Sequence, residues 1–232
     1  MKRFYREAAA QPQADGWQVM LDGRGVKTQG GRAQLVPTHV LAEAMAAEWA
    51  GQGDEIDPAG FILRDLADMA IDVIAADRAG TIATLLRYAE TDTLCYRADP
   101  GDALLERQSE VWEPLLATAE ARWDVHFERI SGVIHRPQPA ETLRRLEGVL
   151  TAQDDFALSA LTTLTTLAAS LVTGLAALDP AADPAALWDA TNLEEDWQAD
   201  LWGRDAEAEA RRARRAAAFA AAARFTRLSA AA

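Results

Sequence analysis

The sequence predicts an α+β protein in which a small N-terminal antiparallel β domain precedes a larger all-α domain. Three observations carry this expectation. Apolar runs separated by glycine turn signals are confined to residues 1–37. After Pro37 the apolar spacing changes from two to three and four. The alternation of strand with helix that a parallel sheet requires is absent from the rest of the chain. The expected division is therefore a β domain over 1–37, with return strands near 125–135, and a helical domain over 38–232.

The elements come in order along the chain. Trp17-Gln-Val-Met-Leu21 reads as a strand closed by Asp22-Gly23, a dipeptide that favours the type I′ hairpin turn. Val26-Lys-Thr28 is the second arm, Gly30-Gly31 the next turn, and Ala33-Gln-Leu-Val36 the third strand, with Phe4-Tyr5 as an edge strand. So thin a sheet needs support from the helices after it. Thr38 is the N-cap of a helix whose Leu41, Met45 and Trp49 recur every four residues until Gly51 and Gly53. Helix resumes near Phe61 and runs to about Tyr88 with a break at Gly80. Another covers 102–123, kinked by Pro114. A short hairpin around Gly132 is expected over 125–135, and Pro137-Gln138-Pro139 stops it. An apolar helix over 154–178, a short helix opened by Asp183-Pro184, and a long helix from Asn192 toward Arg224 complete the reading.

Charge and composition exclude several classes of function. A formal net charge of −13 argues against a phosphate-backbone partner, because nucleic-acid affinity rests on Lys and Arg. The single cysteine, Cys95, forms no internal disulfide, and no basic segment followed by an apolar one opens the chain, so a reducing, cytoplasmic (bacterial) setting is expected. The stretch from Phe156 to Leu178 is uncharged and long enough to span a bilayer. Its seven hydroxyl residues, and flanks of Asp154, Asp155 and Asp179 without Lys or Arg, make it a buried core helix instead, leaving no integral membrane segment.

Chemistry-bearing motifs are sparse. Gly23, Gly25, Gly30 and Gly31 match no phosphate loop and are followed by strand residues, so they read as hairpin turns. His39, His126 and His135 stand apart without metal spacing. Cys95 lies in an apolar stretch, the setting of a buried thiol. Carboxylate pairs such as Glu90 with Asp92, or Glu195 with Asp205, leave open an enzyme using paired acid and base, although acidic residues are frequent enough for such pairs to arise by chance.

The richest segment runs from Asn192 to Asp205. At about 100° per residue, Leu193, Trp197 and Leu201 share one face, while Glu195, Gln198, Trp202 and Asp205 cluster on another. One face docks on the domain. The other offers an indole ringed by acceptors, suited to a protein ligand because Trp is enriched at interface hot spots. A plainer reading stands beside it: Asn192 and Glu195 form a capping-box pattern, and Trp202 belongs to the core. Beyond Gly203 the charge reverses, with Arg204, Arg211, Arg212, Arg214, Arg215, Arg224 and Arg227 set against Asp205, Glu207 and Glu209. Such a run is ordinarily a solvated helix face with i,i+4 pairs; the alternative is a helical adaptor that binds an acidic partner through this basic tail.

The chain resembles the chaperones that bind the α subunit during assembly of the catalytic head of F-type ATP synthase. The resemblance rests on Lys2-Arg-Phe-Tyr-Arg-Glu-Ala8, Asp15-Gly-Trp-Gln-Val-Met-Leu-Asp-Gly-Arg24 with Val26-Lys-Thr28, and Ala47-Glu-Trp-Ala50 with Glu55-Ile-Asp-Pro58. It continues through Tyr88-Ala-Glu-Thr-Asp92 with Leu94-Cys-Tyr-Arg97, Asp154-Asp-Phe-Ala-Leu158, and Glu195-Asp-Trp-Gln198 with Trp202-Gly203. The resemblance implies a β domain before a helical one, no cofactor, no catalysis, and the ATP synthase α subunit as a protein client. It also implies that acidic and aromatic positions of the 195–198 helix contribute. The expected partner-binding set is Glu194, Glu195, Trp197, Gln198, Trp202 and Asp205. Gln29-Gly30-Gly31, where the family pattern has a proline, and Leu63-Arg-Asp-Leu66 depart from that pattern without touching this set.

Overall fold

Strands β1 (Ala8–Gln13) and β2 (Gly16–Leu21) form the hairpin that opens the fold, in a computed structural model that describes residues 1–132, 135–203 and 205–230. The register pairs Ala8 with Leu21 and Gln13 with Gly16, so two residues make the turn. Gly16 has φ +145°, and a Cβ there would lie 2.6 Å from the Val36 carbonyl oxygen, which makes glycine obligatory at this close approach. Asp22 and Gly23 both take left-handed φ, +48° and +79°, as the type I′ turn requires. That turn leads to β3 (Arg24–Gly25), and β4 (Leu35–Val36) pairs with β2 on the Trp17–Gln18 side. Lys27 bridges Ala33 between them.

The edge strand differs from expectation. Phe4 and Tyr5 lie outside the sheet because Tyr5 turns inward: its ring meets Trp49 edge-on at 5.4 Å, and its hydroxyl donates to the Trp49 carbonyl at 2.6 Å. The edge is β1, where Pro12 sits opposite Trp17, a position an edge strand tolerates because a missing N–H is harmless there.

Close packing divides the chain into two units. The first comprises Met1–Arg78, Asp154–Ala160 and the chain from Ala221. The boundary expected at residue 37 falls inside it, because helix α1 (His39–Ala50) buries Leu41, Met45 and Trp49 beneath the sheet residues Val19, Leu21 and Val36. The Thr38 hydroxyl accepts from the Leu41 amide at 3.1 Å and caps α1 as anticipated. Helix α2 (Ile62–Asp68) begins where the Glu48 carboxylate accepts from the Leu63 and Arg64 amides at 2.7 and 3.0 Å. It continues as a π-helical segment, Met69–Ile74. The chain then breaks before α3 (Arg78–Glu90), so Gly80 sits in the first turn of a helix rather than at the break, where its flexibility costs little.

The second unit comprises Ala79–Gln153 and Leu161–Ala220. Helix α4 (Ala103–Trp123) carries Pro114 internally and ends at Asp124 with φ +52°. Strand β6 (Ile130–Ser131) pairs in parallel with β5 (Tyr96–Arg97) and not with the N-terminal sheet. The second arm of the hairpin expected there falls on Val133 and Ile134, outside the described residues. Helix α5 (Ala140–Thr151) comes next.

The apolar run becomes two helices, α6 (Asp155–Ala168) and α7 (Leu171–Ala177), instead of one. Ala169 takes φ +48°, and Ser170 starts α7 by accepting from the Thr173 amide at 3.0 Å. The buried Asp92 carboxylate accepts from the Val172 amide at 3.0 Å. Side chains thus satisfy the amides that an unbroken helix would have paired internally. Gly174 lets α7 approach α6: a Cβ there would stand 2.4 Å from Thr165 Oγ1. Among the described residues no helix is long and apolar enough to cross a membrane. Trp112, Leu116, Phe127, Leu146 and Leu164 fill the core of this unit.

The C-terminal segment is α8 (Pro184–Thr191), α9 (Leu193–Trp202) and α10 (Ala206–Ser229). The single long helix expected from Asn192 is broken at Gly203, whose φ is +96°. Asn192 forms no capping box: its Nδ2 donates to the Trp188 carbonyl at 2.7 Å, tying it to the end of α8.

Candidate functional site

Helix α9 and the start of α10 form the most distinctive surface of the second unit. α9 is anchored at its base, where Leu193 is buried and the Glu194 carboxylate accepts from Gln108 Nε2 at 2.6 Å. Gln108 is itself fully buried, and its carbonyl accepts from the Ala98 amide at 2.8 Å, so Glu194 is part of a chain of bonds reaching β5. Arg212 of α10 grips Asp196 with both guanidinium nitrogens, Nη2 to Oδ2 at 2.7 Å, and approaches Asp189 at 3.7 Å. Asp205 caps α10, its Oδ1 accepting from the Ala208 amide at 2.8 Å.

These contacts leave the far end of α9 uncovered. Trp202 is 78% exposed and its neighbour Leu201 is 61% exposed. The core reading of Trp202 is therefore excluded, and the docking face drawn through Leu193, Trp197 and Leu201 is corrected at its end. Leu193 is buried, Trp197 half-buried and Leu201 in solvent, because the chain turns at Gly203 before the last turn of α9 reaches the core. An indole left in water beside leucine is costly, since burying such side chains is worth about 2–3 kcal/mol each.

A shallow cleft of about 240 Å³ gathers Glu195, Gln198, Trp202 and Asp205 of the expected set, together with Gly203 and Arg212. Glu194 and Trp197 do not line it. Among the described residues the side chains of Glu195 and Gln198 make no hydrogen bond or ion pair, in contrast to Glu194, Asp196 and Asp205, whose carboxylates the fold employs. Glu194, Glu195 and Asp196 all occupy the first turn of α9, where negative charge is favoured by the helix dipole. That favours acidic residues there but supplies no reason for a tryptophan at the other end.

The rival sites fare less well. Asp92 is wholly buried while Glu90 is exposed, and the Asp92 carboxylate is engaged with the Leu94 and Val172 amides at 3.1 and 3.0 Å. Burial pushes its pKa up to about 6, with those hydrogen bonds pulling the other way. The Cys95 thiol is buried and its pKa is raised chiefly by that burial, the setting of an inert thiol. Among the described residues no cluster of three or more His, Cys, Asp or Glu side chains is arranged to hold a metal. The arginines of α10 are largely engaged within the fold. Arg212 clamps α9, Arg211 faces Glu207 at 3.9 Å, and Arg215 donates to the Leu167 carbonyl at 2.9 Å and lies over the Trp188 ring. Arg204 lies outside the described residues.

Sequence reasoning missed a larger groove of about 580 Å³ in the first unit, walled by Phe4, Tyr5 and Trp49 and rimmed by Arg24 and Lys27. Its residues are spread over 1–68 and signal their proximity through no single motif.

Comparison with known proteins bears on both surfaces. A family model described as ATP12 chaperone protein matches residues 2–120, which includes the N-terminal groove but stops short of α9. The chain is 26% identical over 214 residues to the mitochondrial protein atp12 of Schizosaccharomyces pombe, covering 87% of this chain and 74% of that one. Among solved structures, Atp12 from Paracoccus denitrificans matches with a TM-score of 0.93 at 36% identity, over 99% of this chain and 98% of the other. The Atu1473 protein of Agrobacterium tumefaciens matches with a TM-score of 0.93 at 32% identity, over 97% and 85%.

Proposed function

This chain belongs to the ATP12 chaperone family, whose members are assembly chaperones of the F1-ATPase and not enzymes, and from that premise we propose that it binds the unassembled α subunit of ATP synthase and shields its interface until the β subunit takes its place. An unassembled subunit exposes an apolar surface that its neighbour normally covers, and surfaces of that kind aggregate. A protein that covers such a surface and yields to a tighter partner needs moderate affinity and no bond-breaking step. Its place of work is the bacterial cytoplasm, in keeping with a single, buried, unpaired cysteine.

The observation that supports the α9 end as the contact is the exposure of Trp202 beside Leu201 on a helix that is otherwise clamped in position. Presenting an aromatic side chain on a fixed support lowers the entropy lost on binding. In this reading Trp202 is the anchor, and Glu195 and Gln198 supply polar contacts around it. Glu194, Trp197 and Asp205 act by holding the end of α9 and the cap of α10 in place.

Capture of separately expressed ATP synthase α subunit tests the assignment. Glu195→Ala combined with Trp202→Ala is expected to weaken capture by about 30-fold or more, the loss typical of a hot-spot aromatic, while helicity and melting temperature stay at wild-type values. Undiminished capture by the folded double variant would refute the site. Loss of capture by the wild-type protein itself would refute the client.

A further inference from the structure

The groove in the first unit combines three features that the fold does not itself use. The first is an aromatic wall: Phe4 is 63% exposed, with its ring 5.3 Å edge-on from Tyr5, which packs in turn on Trp49. The second is cationic charge. Arg24 and Lys27 are exposed on the rim and, among the described residues, form no ion pair, on a chain whose net charge is −13. The third is an unspent donor. The Nε1–H of Trp49, a residue 93% shielded from solvent that lines the groove, has no hydrogen-bond partner among the described residues. A buried N–H without an acceptor costs about 1–3 kcal/mol, so an acceptor delivered into the groove would be rewarded.

The remaining charges of the lining do not cancel this bias. Asp22 accepts from the Arg6 and Glu7 amides at 3.1 and 2.9 Å, and these bonds hold its carboxyl below the usual range. Asp68 is buried and accepts from the Gln29 amide at 3.1 Å and from Gln34. Arg64 pairs with Asp65 at 2.6 Å while its guanidinium lies 4.1 Å over the Phe61 ring. The charges left to act on a ligand are therefore those of Arg24 and Lys27.

We propose that this groove is a second protein-binding surface, for a segment that carries carboxylate side chains between apolar ones: apolar groups meet the Phe4 and Tyr5 rings while carboxylates meet Arg24, Lys27 and the Trp49 N–H. It is separate from the α9 surface in residues and in the charge it prefers, so it stands whether or not α9 is the client contact.

The probe is a short end-blocked peptide of alternating glutamate and leucine, titrated at low salt into the full chain with two readouts: anisotropy of a fluorescein label and the position of the Trp49 indole N–H resonance. Binding is expected to move that resonance, and to weaken at least about tenfold in the Arg24→Glu, Lys27→Glu double variant. The same loss is expected when glutamine replaces glutamate in the peptide. Phe4→Ala, at an exposed position, tests the aromatic wall if the double variant fails to fold, and is also expected to weaken binding. Equal binding of the glutamine peptide, an unmoved Trp49 resonance, or displacement of the peptide by inorganic phosphate at matched ionic strength would each overturn the proposal.

Discussion

The buried carboxylate of Asp92 provides the sharpest quantitative test of the fold. It sits at zero exposure, where its oxygens accept from the Leu94 amide at 3.1 Å and the Val172 amide at 3.0 Å, and so holds the start of α7 where the apolar run breaks. Burial outweighs those bonds and lifts its pKa from the ordinary 3.8 to about 6. The folded state therefore holds a proton on Asp92 over a range in which the unfolded chain has released it. The stability this group contributes is fully present below about pH 3.8 and is lost as pH rises through 6. A displacement of that size corresponds to about 3 kcal/mol. Urea unfolding followed by circular dichroism from pH 4 to pH 7, compared between wild type and Asp92→Asn, isolates the effect because every other titrating group is common to both. The advantage of the wild type over the variant is expected to shrink by about 2–3 kcal/mol as pH rises across that range. A difference that stays flat with pH, or grows, would refute the assignment of Asp92 as a carboxyl raised by burial.

Two further predictions concern packing and the clamp on α9. Gly174→Ala places a Cβ 2.4 Å from Thr165 Oγ1 and 3.1 Å from Leu161 Cδ1, and is expected to cost about 1–3 kcal/mol in unfolding free energy. Gly148→Ala in α5, where a new Cβ meets nothing within 4 Å, should instead stabilise by about 0.4–1 kcal/mol in the same denaturant titration. Arg212→Ala removes the double grip on Asp196 and is expected to lower α-subunit capture while leaving the Trp202 side chain intact; restoration by Arg212→Lys to wild-type capture would show that charge alone, and not the two-pronged geometry, is what matters.

Much of the fold was legible because it arises from local signals. Asp22-Gly23 specifies a turn by its backbone preference, Thr38 specifies a helix start by its hydroxyl, and the period-four spacing of Leu41, Met45 and Trp49 specifies a buried face. What failed were the decisions made by residues distant in sequence. The apolar run from Phe156 has no proline or glycine at its break; the break is fixed by Ser170 together with Asp92, which lies 80 positions away from the amide it accepts. The place of Tyr5 was likewise decided by Trp49, 44 positions on. The N-terminal groove escaped notice for the same reason, since Phe4, Arg24 and Trp49 are brought together only by the sheet and α1.

The candidate site shows how one misread boundary changes the meaning of residues that were correctly singled out. In an uninterrupted helix Asp196 and Arg212, 16 positions apart, would be separated by about 24 Å along the axis. Their contact at 2.7 Å is possible only because the chain turns at Gly203, whose φ of +96° is readily adopted by glycine alone. The turn brings α10 back against the acidic start of α9, consumes Arg212 in holding it, and makes Asp205 a cap. It also leaves Trp202 as the last helical residue before the reversal, where no later turn of helix covers it. The indole is thus exposed by the same backbone feature that fixes its support. A side chain presented in that way, on a helix clamped from two directions, is built to meet something other than its own core.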